Sequence, residues 1–193
     1  MNDFGLYFSL GYKHIADLNG IDHILFVMAL CLRYQPGDWR KILILVTAFT
    51  IGHSITLALS VFNLVQYSVK WIEFFIPVTI VITAISNLFV KKFVFRSKFP
   101  VIYFLALFFG LVHGLGFSSY LKSLLGIDDN IVAELMAFNL GLESGQLLIV
   151  ACVLLISYIF VNILKCNRRE YLLFITGGIL ALALQMAIER ILF

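Results

Sequence analysis

The chain has 193 residues, of which 62% are hydrophobic and 13% are charged, and its formal net charge is +3. Soluble domains carry about 25% charged residues, so a water-soluble fold of this length is excluded and an all-α integral membrane protein is expected. The small positive charge does not predict a nucleic-acid partner. The three cysteines are isolated, so neither a disulfide framework nor a zinc finger is expected.

Apolar runs between charged residues predict about six transmembrane helices. In chain order they lie near 21–33, 41–64, 71–90, 99–121, 131–163 and 171–192. A spanning helix needs about 20 apolar residues, so six crossings and their short loops use nearly the whole chain. Residues 1–193 are therefore expected to form a single membrane domain.

Basic residues separate the two sides of the membrane. Three connecting segments hold most of the fourteen lysines and arginines, namely Arg33, Arg40, Lys41, Lys91, Lys92, Arg96, Lys98, Lys165, Arg168 and Arg169. Basic loops usually remain in the cytoplasm. The pattern thus predicts that these segments face the cytoplasm and that both termini lie on the outer side.

The first apolar run is too short to cross alone. Residues 21–32 would cover about 18 Å at about 1.5 Å per residue, whereas the hydrocarbon core is about 30 Å thick. We therefore expect residues 4–18 to form a separate helical piece, with a break near Asn19-Gly20. The fifth run is too long instead, and Gly141 and Gly145 are where it is expected to bend or break.

All four histidines are candidate site residues. His14 lies in GYKHIAD, His23 in GIDHILF, His53 in FTIGHSITL and His113 in GLVHGLGF. Counting about 1.5 Å per residue from the basic end of each span places His23 about 15 Å, His53 about 20 Å and His113 about 22 Å from the inner face. Ionisable side chains inside a bilayer are costly and usually line a pathway or bind something.

Three carboxylates accompany these histidines. Asp22 precedes His23, Asp17 shares a helix face with His14, and Glu143 lies in FNLGLESGQ on the fifth span. Imidazole and carboxylate groups together suit divalent nickel, cobalt or zinc, whereas copper(I) prefers sulfur ligands. The pattern thus predicts a metal site with Asp22, His23, His53, His113, His14, Asp17 and Glu143 as candidate ligands.

Structural roles remain alternatives for several of these residues. His53 and His113 would also serve as hydrogen-bonding contacts between helices, and Asp22 would also serve as a helix N-cap. His14 and Asp17 would form a solvated pair at the membrane interface. Glu73, beside Trp71, is interpreted first as an interface residue.

The ordered motifs GYKHIAD…GIDHILF, TAFTIGHSITL, GLVHGLGF and FNLGLESGQ resemble those of the HupE/UreJ family of bacterial membrane proteins. This resemblance covers most of the chain. It implies a multi-pass protein of the bacterial inner membrane that acts as a nickel or cobalt permease.

Parts of the chain are also similar to the wider nickel/cobalt transporter family. Asp22-His23, Gly52-His53-Ser54 and Glu143 fit its signature, whereas Leu18 stands where that family has an upstream histidine. The resemblance implies that His14 substitutes for it.

Three functions follow from these features. The first is a transporter of divalent metal ions, with nickel or cobalt favoured. The second is an intramembrane hydrolase in which zinc, held by histidines and a carboxylate, activates water with Glu143 or Asp17 as general base. The third is a metal-binding membrane accessory protein that does not move ions. The expected partners are a metal ion and the lipid bilayer, and self-association into a homo-oligomer is left open.

Overall fold

The described part of the chain is entirely helical. The computed structural model describes residues 4–18, 20–90, 93, 101–124 and 131–192, and this part contains no β-strand. Its seven α-helices are α1 (Phe4–Ala16), α2 (Asp22–Cys31), α3 (Trp39–Val61), α4 (Val69–Leu88), α5 (Val101–Leu124), α6 (Ile131–Tyr158) and α7 (Arg168–Leu192). A 3₁₀ turn precedes α3 and a π-helical turn extends α6. The expected all-α fold is confirmed.

Five helical stretches are long and apolar enough to cross a membrane. They are Pro36–Val61, Val69–Leu88, Val101–Leu124, Ile131–Ile163 and Arg168–Ile191. Large apolar side chains such as Phe174 and Phe104 point outward from them, with 81% and 66% of their surface exposed. An apolar exterior of this kind requires lipid rather than water around it.

The interruption predicted in the first span lies between α1 and α2. Helix α1 ends at Ala16 and α2 begins at Asp22. Gly20 lies between the two helices, and Asn19 lies outside the described residues. Helix α2 is apolar but shorter than the five long stretches, as the sequence predicts for this run.

The fifth span was expected to bend or break at Gly141 and Gly145, and the expectation of a break is wrong. Helix α6 continues through both glycines and ends only at Tyr158. They permit close packing against α1 instead, since a Cβ atom on Gly141 would lie 2.0 Å from the carbonyl oxygen of Phe8. The span is long because a π-helical turn, Ile159–Ile163, follows Tyr158 directly and continues the helix without a break.

Helices α3 and α5 make the most extensive contact in the bundle. A Cβ atom on Gly110 would lie 2.2 Å from the carbonyl oxygen of Phe49, so the two backbones touch at this point. Small residues allow this close approach in membrane helices. Because His53 and His113 lie within one turn of the contact, the packing brings both imidazoles to one level of the bundle.

Helix α2 packs against α4, α6 and α7. At its C-terminal end Arg33 is buried, with 8% of its surface exposed, and it donates to Oδ1 of Asn87 on α4 over 2.6 and 3.0 Å. Asn87 in turn donates to the carbonyl oxygen of Ala29 over 2.7 Å. These hydrogen bonds fix the C-terminal end of α2 to α4.

Candidate metal centre

Four histidines on four different helices meet inside the bundle. They are His14 on α1, His23 on α2, His53 on α3 and His113 on α5. One ligand nitrogen from each of His14, His23 and His53 lies within 4.8 Å of the other two. Among the described residues, no other group of three or more histidine, cysteine or acidic side chains has this spacing.

The imidazole rings stand at angles to one another rather than in a stack. The centroid of the His14 ring lies 4.6 Å from that of His23 and 6.0 Å from that of His53, and the centroids of His23 and His53 are 6.2 Å apart. His113 is adjacent, with its ring centroid 5.1 Å from that of His23. It is not a member of the three-nitrogen group.

Most of the ring nitrogens are buried without a partner. Nε2 of His14, Nε2 of His23, both nitrogens of His53 and Nδ1 of His113 have no hydrogen bond to the described part of the chain. An unsatisfied buried polar group costs about 1–3 kcal/mol. Because one ion would satisfy several of these nitrogens together, the donor set fits a divalent metal.

Two apolar clusters enclose the histidines. On one side His113 contacts Phe26 at 5.3 Å between ring centroids, and His23 contacts Phe49 at 6.2 Å. On the other side Phe138 lies 6.3 Å from His53. All three phenylalanines are essentially inaccessible, so water has little access to the nitrogens and competes weakly for an ion there.

A cavity of about 330 Å³ reaches the histidines. It is lined by His14, Asp17, Gly20, Asp22, His23, Glu73, Ile76, His113, Gly116, Phe117 and Arg190. Glu73 lies near the start of α4 and Arg190 near the end of α7. The cavity therefore runs from those helix ends to the imidazoles.

The structure places the three predicted carboxylates outside the three-histidine group. Asp22 and Asp17 line the cavity, and Asp22 is the first residue of α2 rather than its N-cap. Glu143 is half-buried and accepts a hydrogen bond from the Thr47 hydroxyl over 2.8 Å. Asp22 and Asp17 are therefore positioned beside the cavity, whereas Glu143 contacts α3.

Two contacts at the site had no signal in the sequence motifs. The Thr79 hydroxyl lies 3.0 Å from Nε2 of His113. A guanidinium nitrogen of Arg190 lies 2.8 Å from Oδ2 of Asp22, across 168 positions of the chain. Pro77 inside α4 indicates only a backbone carbonyl without its helical donor four residues earlier, which takes part in neither contact.

A family model described as HupE / UreJ protein matches residues 1–190 of the chain. The matched region contains all seven helices apart from the last two residues of α7, and all four histidines. Comparisons with curated proteins and with solved structures gave no further match. Since the match extends over nearly the whole sequence, the chain belongs to the HupE / UreJ protein family.

Proposed function

We propose that this protein transports a divalent metal ion, nickel or cobalt, across the membrane. The observation that carries the proposal is the group of three imidazole nitrogens, from His14, His23 and His53, within 4.8 Å of one another. They are contributed by three separate helices, and a site of this kind changes when those helices move. Movement of helices around a central site is how many transporters work.

The choice of ion follows from ligand chemistry and family membership. Imidazole suits nickel, cobalt and zinc, and the HupE / UreJ family is associated with nickel and cobalt. His113 and Asp22 border the same cavity and would complete the coordination shell. Asp17 and Glu143 remain proposed ligands that would act in another conformation of the bundle.

The proposed topology has six spans, with both termini on the outer side of a bacterial inner membrane. Helices α1 and α2, of 13 and 10 residues, would together form the first span, since about 1.5 Å per residue gives them a joint length of about 35 Å. Five long apolar helices supply the others. Residues 1–193 would act as one membrane domain.

In this topology the cavity faces outward. The end of α7 with Arg190 and the start of α4 with Glu73 lie on the outer side, and both residues line the cavity. Phe26 and Phe49 are fully buried on the other side of the histidines and close the route inward. An ion would therefore enter through the cavity, and its release would require these phenylalanines to separate.

Uptake into proteoliposomes tests this proposal. Purified protein should carry ⁶³Ni²⁺ or ⁵⁷Co²⁺ into vesicles, and His23→Ala or His53→Ala should abolish uptake because each removes one of the three grouped ligands. Gln185→Ala is the matched control, since Gln185 is exposed on α7 and should leave uptake unchanged. Protein that binds the ion tightly yet moves none would instead be an accessory protein.

A second cavity favours one further candidate function, a zinc-dependent intramembrane hydrolase. This cavity of about 790 Å³ lies against His14 and is lined mostly by apolar residues, namely Leu10, Tyr12, Lys13, His14, Ala16, Asp17, Leu18, Phe117 and Tyr120. Its volume suits a lipid or peptide. Three histidine ligands leave a fourth zinc position for water, and Asp17 would act as general base.

The hydrolase candidate makes a different biochemical prediction. Zinc-loaded protein should release product from a lipid or peptide substrate, and Asp17→Asn should abolish this activity because the general base is lost. The same variant should still bind zinc through the histidines. Vesicle uptake of nickel or cobalt without hydrolysis would exclude this candidate.

A further inference from the structure

Arg190, near the end of α7, makes hydrogen bonds to two other helices, α4 and α2. One guanidinium nitrogen donates to the backbone carbonyl oxygen of Glu73 over 3.0 Å. That carbonyl is available because the residue four positions later, Pro77, has no N–H to donate within α4. The sequence of α4 therefore creates an acceptor, and the guanidinium from α7 satisfies it.

The other end of the guanidinium reaches Asp22. Its second nitrogen lies 2.8 Å from Oδ2 of Asp22, and Oδ1 of Asp22 is buried without a hydrogen-bond partner in the described residues. Asp22 lies next to His23 and borders the cavity that reaches the imidazoles. One carboxylate oxygen thus pairs with a protein cation while the other is unsatisfied.

A divalent ion and Arg190 repel each other when both lie beside the Asp22 carboxylate, which costs electrostatic free energy. A divalent ion on His23 would lie beside Asp22 and would be attracted by its charge, whereas the fixed positive charge of Arg190 would repel it. The interaction is strong because Asp22 has only 9% of its surface exposed, so screening by water is weak. Binding of the ion is therefore opposed by the ion pair.

We propose that Arg190 competes with the metal ion for Asp22, holding the carboxylate while the site is empty and releasing it when the ion binds. This inference rests on the proposed metal centre. The carbonyl of Glu73 would keep the released guanidinium at the rim of the cavity. Arg190 therefore lowers the affinity of the site and helps the ion to leave it.

Cobalt binding to purified protein in detergent tests the competition. Arg190→Gln should lower the Kd for Co²⁺, followed by its visible absorption, by about tenfold, a coupling of the size found for contacting groups. Lys122→Gln is the matched control, because it removes a positive charge at the end of α5 that contacts Asn63 and should leave the Kd unchanged. An unchanged or raised Kd in Arg190→Gln would overturn the proposal.

A double-mutant cycle identifies the shared partner. In an Asp22→Asn background the Arg190→Gln change should have a much smaller effect on the Kd, because the carboxylate for which the two cations compete is absent and only their direct repulsion remains. An effect of equal size in both backgrounds would show that Arg190 acts elsewhere and would overturn the proposal. Absence of Co²⁺ binding by the wild-type protein would overturn the metal centre itself, which separates the two failures.

The wild-type protein provides a test that does not depend on folding of a variant. Phenylglyoxal modifies accessible arginines, and the modified peptides are quantified by mass spectrometry. Co²⁺ should increase the rate at which Arg190 is modified several-fold, while the rate at Arg33, fixed by Asn87, stays constant. A rate at Arg190 that is unchanged or reduced by Co²⁺ would overturn the proposal.

Discussion

The Thr79 hydroxyl lies between the ring of His113 and the backbone carbonyl of Ile76. Its oxygen lies 3.0 Å from Nε2 of His113, and its single proton is donated to the carbonyl oxygen of Ile76 over 2.7 Å. With its proton on that carbonyl, the hydroxyl oxygen accepts a hydrogen bond from Nε2–H. The lone pair of His113 is then on Nδ1, which is buried without a partner in the described residues, so this nitrogen is the one available to a metal.

Removing the Thr79 hydroxyl should weaken metal binding. We expect Thr79→Val to raise the Kd for Ni²⁺ about 10–100-fold, the usual effect of losing an outer partner of a histidine ligand. Thr79→Ser keeps the hydroxyl and should bind as the wild type does. Isothermal titration calorimetry gives both values, and equal affinities for Thr79→Val and Thr79→Ser would show that the Thr79 hydroxyl does not support a metal ligand.

Metal binding should stabilise the fold. An ion that binds only the folded protein adds about 2.7 kcal/mol at a concentration 100 times its Kd, so Ni²⁺ should raise the Tm in detergent and a chelator should reverse the rise. His53→Ala removes one of the three grouped ligands, and its Tm should no longer respond to Ni²⁺. A response of the same size in this variant would place the ion elsewhere.

The close contact between α3 and α5 should not tolerate a side chain. Gly110→Ala places a Cβ atom 2.2 Å from the carbonyl oxygen of Phe49, and overpacking of this kind costs about 1–3 kcal/mol. Its Tm should fall and its metal affinity should fall with it. Gly178→Ala on α7 is the control, because no atom lies within 4 Å of the new Cβ and Ala favours a helix.

The buried end of α2 should depend on Asn87. Asn87→Ala leaves the Arg33 guanidinium without the oxygen that accepts two of its hydrogen bonds, and an unsatisfied buried charged group costs more than about 3 kcal/mol. Ser86→Ala removes a single bond of 2.8 Å and should cost about 1 kcal/mol. Unfolding in detergent compares the two, and equal losses would argue against a central role for Asn87.

The helices were predictable because membrane spans carry a long, continuous apolar signal. The interruption between α1 and α2 also followed from length, since residues 21–32 cannot cross alone. The close packing of Gly141 against α1 could not be predicted from the sequence. A glycine in a long apolar run is consistent with a break or with close packing, and only the position of α1 shows the close packing.

The candidate site was predictable in its residue types but only partly in its contacts. The depth arithmetic placed His23, His53 and His113 at a similar level, and the ring centroid of His23 lies 5.1 Å from that of His113 and 6.2 Å from that of His53; the arithmetic did not include His14. Depth along a helix says nothing about rotation around its axis, however. The pairing of Asp22 with Arg190 therefore depends on a tertiary arrangement that spacing does not encode.

The backbone contact between α3 and α5 holds two of the four histidines at a fixed separation. With Gly110 pressed against Phe49, His53 and His113 cannot separate unless that contact opens. Helix α1, which carries His14, is held to α6 in the same way, because a Cβ atom on Gly141 would lie 2.0 Å from the carbonyl oxygen of Phe8. An ion at the proposed site would then connect two closely packed helix pairs, with His23 on the short helix α2 between them, and loosening either glycine contact should change ion preference without touching a ligand.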